Sequence, residues 1–147
     1  MDEIKKILIA TDGSEYTKEA VKKGLSLAKM LDAEVIGLYV VDISPILPMS
    51  LDESTFPMVD FLRNEGDDVL ERLKKQGEEM GVKIKTLKKE GVPADEIVET
   101  AKIEDVDLIV IGTLGRSALE KLLLGSVAEK VIRHAPCPVL VVRTKKR

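Results

Sequence analysis

Residues 107–129, DLIVIGTLGRSALEKLLLGSVAE, carry the pattern that decides the fold. The uninterrupted apolar run at 108–111 is typical of a strand buried on both faces of a sheet. It leads into a loop that contains Gly112, Gly115 and Gly125, and a helical period follows that loop. A buried strand, a loop and a helix in this order form the repeating unit of a parallel α/β sheet.

Backbone N–H groups of the glycine loop and of the helix start after it can point toward a common anion, and phosphate is the expected ligand. Ser126 followed by Glu129 matches a capping box, so we expect a helix start at Ser126 whose dipole favours negative charge. Val127, Val131 and Ile132 are expected on one side of this helix. Glycine spacing alone leaves a second interpretation open, in which these residues only turn the chain and cap the helix.

Strand and helix patterns alternate along the rest of the chain, which predicts an α/β fold. The simplest arrangement is a doubly wound five-stranded parallel sheet of order 3-2-1-4-5 with helices on both faces. The predicted strands are residues 4–10, 34–41, 82–87 (an edge strand), 108–111 and 138–142, and the predicted helices are residues 14–31, 59–80, from Pro93 and from Ser126. The irregular segment at 42–58, with three prolines, is interpreted either as a lid or as a mobile insertion.

This strand order reverses the chain between the first and fourth strands, and ligands bind at such switch points. Two loops meet there: Ala10, Thr11 and Asp12 in one, and Gly112 to Gly115 in the other. Asp12 could accept a hydrogen bond from a ribose hydroxyl or an adenine amine, hold a divalent cation near phosphates, or merely cap the following helix. The sequence therefore brings an acidic loop and a glycine loop together.

Composition limits the classes of protein that fit. A chain of 147 residues, 44% hydrophobic, suits one domain over residues 1–147. A formal charge of −3 without a basic block does not indicate a nucleic-acid surface, and the scarcity of aromatic residues disfavours single-strand or flavin binding. No segment resembles a signal peptide or a membrane span, so a cytoplasmic location is expected.

Few residues are suited to enzymatic chemistry. Cys137 lies between two prolines and is expected to be a packing residue, and His134, the only histidine, falls in the last turn of a helix. The glycine loop is not a Walker A motif, because only two residues separate Gly112 from Gly115 and Arg116 stands where that motif has lysine. Efficient phosphoryl transfer and nucleophile–base catalysis therefore lack their usual parts.

The ordered combination of motifs resembles the universal stress protein family over nearly the whole chain. The pattern Gly-x2-Gly-x9-Gly-Ser after a buried strand is similar to that family's nucleotide-binding signature. The other matching segments, in order, are KKILIATDGSEYTKEAVKKGLSLA at 5–28, LYVVD at 38–42, GVPADEIVETA at 91–101 and HAPCPVLVVR at 134–143. The resemblance implies a Rossmann-like fold of the adenine nucleotide alpha hydrolase type.

The resemblance also implies an ATP site, with Mg²⁺ or Mn²⁺ on the phosphates. It assigns an adenine contact to the main chain of Val40 and the cradle for ribose and phosphates to the glycine loop. The full candidate set is Ala10, Thr11, Asp12, Val40, Ile111, Gly112, Thr113, Leu114, Gly115, Arg116, Ser117, Gly125, Ser126 and Val127. Leu114 stands where many relatives carry histidine, so a polar contact from that position is lost.

The leading functional hypothesis is an ATP-binding, nucleotide-dependent switch in a stress response, acting on a protein partner that the sequence does not identify. The alternative is a slow Mg²⁺-dependent ATPase that uses Asp12. A receiver-like phosphorylation switch is disfavoured, because the 108–111 strand ends in Gly112 and offers no acceptor aspartate. The apolar strand PVLVV, which starts at Pro138 and ends at Val142, would be prone to aggregation if it were an unpaired edge strand. A homodimer through this strand is expected, and the resemblance implies the same.

Overall fold

The computed structural model describes residues 3–44, 56–114 and 124–144. Five parallel strands form one sheet in the order β3-β2-β1-β4-β5, which confirms the predicted topology. The strands are β1 (Lys6–Ala10), β2 (Glu34–Asp42), β3 (Ile84–Gly91), β4 (Leu108–Gly112) and β5 (Val139–Val142). The helices are α1 (Lys18–Leu31), α2 (Phe56–Glu79), α3 (Pro93–Ile103) and α4 (Ser126–His134), and a 3₁₀ turn at Glu15–Thr17 precedes α1.

Two hydrophobic clusters cover the two faces of the sheet. One packs α1 and α2 against alternate strand residues such as Ile7, Ile9 and Val110. The other packs α3 and α4 against the residues between them, such as Leu8 and Ile109. The central strands β1 and β4 are almost fully buried because both faces are covered, as their continuous apolar runs predict.

Helices α1 and α3 each bury one apolar face against the sheet. The α1 residues Ala20, Val21, Gly24, Leu25 and Ala28 are buried, as are Ala94, Ile97, Val98 and Ala101 of α3. Gly24 permits the close approach of α1 to the sheet, because a Cβ atom there would lie 2.6 Å from Cδ1 of Ile9. The period of apolar residues thus positions both helices correctly.

The largest differences from the predicted boundaries are at α1, α2 and β3. A 3₁₀ turn occupies Glu15–Thr17, so α1 begins four residues later than residue 14. Helix α2 begins at Phe56, three residues earlier than predicted, and includes Pro57 in its first turn. Proline is tolerated there because a backbone N–H in the first turn makes no intrahelical hydrogen bond. Strand β3 runs to Gly91 and pairs with β2 as far as Asp42, so its charged half is still strand. Most of the 42–58 segment (residues 45–55) lies outside the described residues.

The edges of the sheet are β3 and β5, as predicted. Pro138 precedes β5 and contributes only its carbonyl, which accepts a hydrogen bond from Ile109 N at 3.0 Å. Within the described parts of the chain, no helix combines the length and the apolar character that crossing a bilayer requires.

Candidate nucleotide-binding site

The sheet splits between β1 and β4 at the carboxyl ends of its strands. These two strands pair only as far as Ile9 and Val110. Beyond that point, Ala10 pairs with Leu38 of β2, whereas β4 continues to pair with β5. On one side of the split, Thr11 N after β1 donates to Leu38 O of β2 at 3.0 Å. On the other side, Thr113 N after β4 donates to Val142 O of β5 at 3.1 Å. A crevice therefore opens between the two loops at the predicted switch point.

The acidic loop is a tight turn held by its own side chains. Asp12 Oδ1 accepts a hydrogen bond from Ser14 N at 2.9 Å. The hydroxyl of Thr11 accepts from Gly13 N at 3.1 Å and bonds to the Thr17 hydroxyl at 2.8 Å, so the polar group of this buried side chain is used within the turn. Gly13 has φ +80°, a conformation that glycine adopts without strain. Asp12 thus has a structural role in the turn.

Gly112 lies against the backbone of the acidic loop. A Cβ atom at Gly112 would lie 2.9 Å from the carbonyl oxygen of Tyr16 and 3.6 Å from Cα of Thr17. The same carbonyl accepts a hydrogen bond from Thr144 Oγ1 at 3.3 Å. Glycine is therefore required at position 112, because the 3₁₀ turn packs directly on the end of β4. The sequence pattern does not reveal this steric requirement.

Gly125 is the N-cap of α4, and its N–H donates to Thr113 O at 2.7 Å. This bond ties the start of α4 directly to the end of β4. Gly125 has no side chain with which to cap the helix, and no carbonyl lies one turn earlier in the helix to accept from its first N–H groups, so among the described residues these groups are uncapped. The uncapped end of α4 thus begins beside the crevice, where its positive dipole end favours an anion.

The predicted capping box at Ser126 and Glu129 is wrong. Ser126 is the first helical residue and follows the N-cap, so its hydroxyl is one position too late to cap. Glu129 Oε1 instead accepts from Arg133 Nη2 at 3.0 Å. The apolar residues of α4 also differ in environment: Val131 is fully buried, whereas Val127 and Ile132 are exposed.

The apolar candidates share one face of the sheet. Ala10 and Ile111 are buried in the cluster under α3 and α4, and Val40 packs against the same cluster. Thr113 is buried and Leu114 is half-buried. Gly115, Arg116 and Ser117 lie outside the described residues. The described candidates Ala10, Thr11, Asp12, Val40, Ile111, Gly112, Thr113, Leu114, Gly125, Ser126 and Val127 all lie at strand ends or in the loops and helix start that follow them.

The groups with displaced pKa values lie in two other places. The hydrogen bond from Arg63 holds the pKa of Glu90 below its ordinary value. Burial, reinforced by the charge of Asp107, raises the pKa of the Cys137 thiol, as expected for a packing residue. Among the described residues, no group of three or more His, Cys, Asp or Glu side chains is arranged to hold a metal ion.

A cavity of about 820 Å³ opens at the amino ends of the strands, on the side of the sheet opposite the crevice. Four lysines and four carboxylates line it together with four small or apolar residues. Two of the lysines are used on the carboxyl ends of helices, because Lys29 Nζ donates to Met80 O at 2.7 Å and Lys6 Nζ donates to Glu104 O at 3.0 Å. Carboxyl ends of helices disfavour anions, so this cavity lacks the chemistry of a phosphate site.

Sequence reasoning missed Ser14. Its Oγ atom lies in the same turn as Asp12 and is buried without a hydrogen-bond partner among the described residues. The signal that could have found it is the spacing Asp-x-Ser, which follows β1 at Asp12 and recurs at the end of β2 at Asp42.

Comparison with known proteins agrees with this geometry. The family model described as "Universal stress protein family" matches residues 3–143. The chain is 51% identical over 143 residues to universal stress protein MJ0531 of Methanocaldococcus jannaschii, an alignment that covers 97% of this chain and 84% of that protein.

Two solved structures extend the likeness to three dimensions. Protein MJ0577, from the same archaeon, superposes with a TM-score of 0.87 at 37% identity, covering 99% of this chain and 100% of that one. A universal stress protein in complex with cAMP superposes with a TM-score of 0.72 at 26% identity, covering 98% of this chain and 100% of that one. With the sheet order, the glycine loop and the match over residues 3–143 in agreement, this chain belongs to the universal stress protein family.

Proposed function

We propose that this protein binds an adenine nucleotide, ATP in the first place, in the crevice between β1 and β4. The observation that carries the proposal is the uncapped amino end of α4, which Gly125 ties to Thr113 at the point where β1 and β4 part. An anion at this position satisfies backbone N–H groups and gains from the helix dipole. The cAMP complex of a relative supports an adenine nucleotide as the ligand.

The proposed contacts divide by chemistry. Ser126, Val127 and the glycine loop supply N–H donors for phosphates, to which the sequence adds Gly115, Arg116 and Ser117 outside the described residues. Ala10, Val40 and Ile111 supply an apolar floor on one face, and the main chain of Val40 supplies polar groups for the base. Asp12 accepts from hydroxyl or amino groups of the nucleoside. Mg²⁺ or Mn²⁺ would take most of its ligands from the phosphates and from water, which fits a site with one nearby carboxylate.

The proposed role is a switch in which nucleotide occupancy selects a protein partner. The described residues place no histidine near the crevice, since His134 ends α4 at the far end of that helix. The alternative role, slow ATP hydrolysis with Asp12 and Mg²⁺, is separated by measuring phosphate release from ATP. Turnover of about 1 per second or faster, an ordinary enzymatic rate, would contradict the switch.

The binding experiment uses freshly purified protein. Mass spectrometry of the supernatant after heat denaturation is expected to find ATP at close to one equivalent per chain. Adding ATP to nucleotide-free protein at 100 times its Kd should stabilise the fold by about 2.7 kcal/mol. Finding neither bound nucleotide nor a shift of the melting temperature with ATP, ADP or AMP would refute the proposal.

We also propose that the protein is a homodimer through β5. In the described sheet, β5 is an edge strand, and Leu140 on it is exposed, as are Val127 and Ile132 on the neighbouring helix α4. Pairing β5 with its twin about a two-fold axis satisfies the free strand edge and covers these side chains. Light scattering at micromolar concentration should give twice the mass of 16.2 kDa, and a monomeric mass would contradict the proposal.

A further inference from the structure

The turn at Asp12 has a counterpart in this molecule. After β1, Ser14 N donates to Asp12 Oδ1 at 2.9 Å, and after β2, Ser44 N donates to Asp42 Oδ1 at the same distance. Both are turns in which an aspartate accepts from the residue two positions later. The two serines therefore occupy equivalent positions at the carboxyl ends of neighbouring strands.

The two hydroxyl groups behave differently. Ser44 Oγ closes onto Asp42 Oδ1, so its hydroxyl is used within its own turn. Ser14 Oγ is buried and makes no hydrogen bond to any residue that the structure describes. Ser14 precedes the 3₁₀ turn as its N-cap, yet its side chain does not cap that turn either. The two usual local uses of a serine at this position are both unrealised.

The other polar groups around Ser14 are satisfied. Its N–H donates to Asp12, and its carbonyl accepts from Thr17 N at 3.2 Å and from Thr17 Oγ1 at 3.0 Å. The Thr11 and Thr17 hydroxyls bond to each other. A buried polar atom without a partner is rare in folded proteins and requires an explanation. The Ser14 hydroxyl is free to serve a molecule that binds beside this turn.

We infer that the Ser14 hydroxyl is a positioning group that binds a ribose hydroxyl of the nucleotide, an inference that rests on the proposed function. Ser14 lies between Asp12 and the Tyr16 carbonyl that packs on Gly112, so its turn forms one wall of the crevice. A phosphate beside Asp12 would meet a like charge, whereas a sugar hydroxyl is neutral and both donates and accepts. One rotation about χ1 changes the direction of Oγ without moving the backbone.

The test compares the affinities of the full-length protein for ATP, 2′-deoxy-ATP and 3′-deoxy-ATP by calorimetry. The wild type should bind ATP about three- to tenfold more tightly than at least one deoxy analogue, the range that one net hydrogen bond provides. Ser14→Ala should weaken ATP binding by that factor and leave the affinity for the same analogue unchanged. Ser14→Gly removes the same hydroxyl at a cap position that tolerates glycine, and it should give the same result.

Ser44→Ala is the matched control, because it removes a hydroxyl from the equivalent turn after β2. This variant should keep the wild-type preference for ATP. Retention of the full preference by Ser14→Ala and Ser14→Gly would overturn the inference, as would an equal loss for all three nucleotides or an equal loss of preference in Ser44→Ala. Failure of the wild type to bind any of the three would instead refute the proposed function itself.

Discussion

Gly112 is a position at which the structure leaves no room for a side chain. A Cβ atom at this position would lie 2.9 Å from Tyr16 O and 3.3 Å from Leu114 O, and backbone oxygens do not move aside as side chains do. We expect Gly112→Ala to lower the free energy of unfolding by about 1–3 kcal/mol, the usual cost of overpacking. Because the 3₁₀ turn and the end of β4 must separate, nucleotide affinity should fall as well.

Urea unfolding and ATP titration of Gly112→Ala measure the two effects. Gly77→Ala is the control, because its Cβ would meet the side chain of Ile84 at 3.1 Å and lies far along α2 from the crevice. That variant should keep the wild-type affinity for ATP. A Gly112→Ala variant with wild-type stability would show that the turn and β4 are not packed as described.

Cys137 is expected to react slowly with alkylating reagents. Burial and the charge of Asp107 raise the pKa of its thiol above the ordinary value of about 9.0, and a raised pKa leaves less thiolate at any given pH. Iodoacetamide labelling followed by mass spectrometry at pH 7 to 9 should therefore be slower for the folded protein than for the chain in urea. Equal rates in the two states would show that the thiol is not buried and that its pKa is not raised.

At the scale of single residues, sequence reasoning found positions more often than reasons. Gly24 falls within the apolar period of α1, and the structure places it on the buried face, where it allows close packing against Ile9. Gly112 was assigned to ligand binding, but its immediate neighbour is the Tyr16 carbonyl. The capping box failed because Gly125 rather than Ser126 is the N-cap, a difference of one residue that depends on the bond from Gly125 N to Thr113 O. Contacts between residues distant in sequence cannot be predicted from spacing alone.

At the scale of elements, helix α4 provides the sharpest test of phosphate binding. Ser126→Asp places a negative charge in the exposed first turn of α4, where the helix dipole stabilises it by about 0.3–1 kcal/mol. The unliganded protein should therefore be no less stable than the wild type. The same charge should repel the phosphates and weaken ATP binding tenfold or more, as measured by calorimetry.

Gln76→Glu, at an exposed position near the carboxyl end of α2, adds the same charge away from the crevice, because the next residue, Gly77, lies against Ile84 at the amino end of β3. This control should bind ATP as the wild type does. If Ser126→Asp also binds ATP with unchanged affinity, the phosphates do not lie at the amino end of α4.

The contact between α2 and β3 depends on pH. Arg63 Nε and Nη2 donate to the two oxygens of Glu90 at 2.6 and 2.9 Å, and this contact lowers the pKa of Glu90 below 4.5. A carboxylate with a lowered pKa in the folded state stabilises the protein above its unfolded pKa, and that stabilisation is lost as the pH falls through the folded pKa. Glu90→Gln should therefore be less stable than the wild type at pH 7, and the difference should shrink as the pH falls below 4.5 through the lowered pKa of the folded state.

Urea unfolding of both proteins from pH 7 to pH 3 measures this difference, which should be small because the pair is exposed to solvent. The control is Glu99→Gln, an exposed carboxylate on α3, which should show a smaller difference at pH 7. A difference for Glu90→Gln that persists unchanged at pH 3 would exclude the ion pair as its cause.

Element boundaries were predicted less well than element types, for identifiable reasons. Pro57 looked like part of a loop, yet proline in the first turn of a helix is favourable, and α2 includes it. The predicted strand ends at residue 87, yet an edge strand exposes one side to solvent, and β3 also includes residues 88–90, two lysines and a glutamate. Local composition does not show which neighbouring strand will make hydrogen bonds with the backbone of a segment.

At the scale of the whole molecule, the topology followed from the alternation of strands and helices. Parallel strands joined by right-handed crossovers leave few possible orders, and the order 3-2-1-4-5 was among the simplest. The strand ends that form the crevice were predictable for the same reason. The depth of the split between β1 and β4 was not, because it depends on where each strand changes partner, at Ile9 and Val110.

The proposed dimer makes a prediction that separates assembly from folding. Leu140 is exposed at the middle of β5, and a lysine on an edge strand opposes pairing with a second copy because it places two like charges close together. Leu140→Lys should therefore be a folded monomer of about 16.2 kDa by light scattering. Ile103→Lys, which removes an even more exposed apolar side chain at the carboxyl end of α3, is the control and should remain dimeric. If both variants dimerise as the wild type does, the interface does not involve β5; if both become monomeric, the interface also includes the carboxyl end of α3.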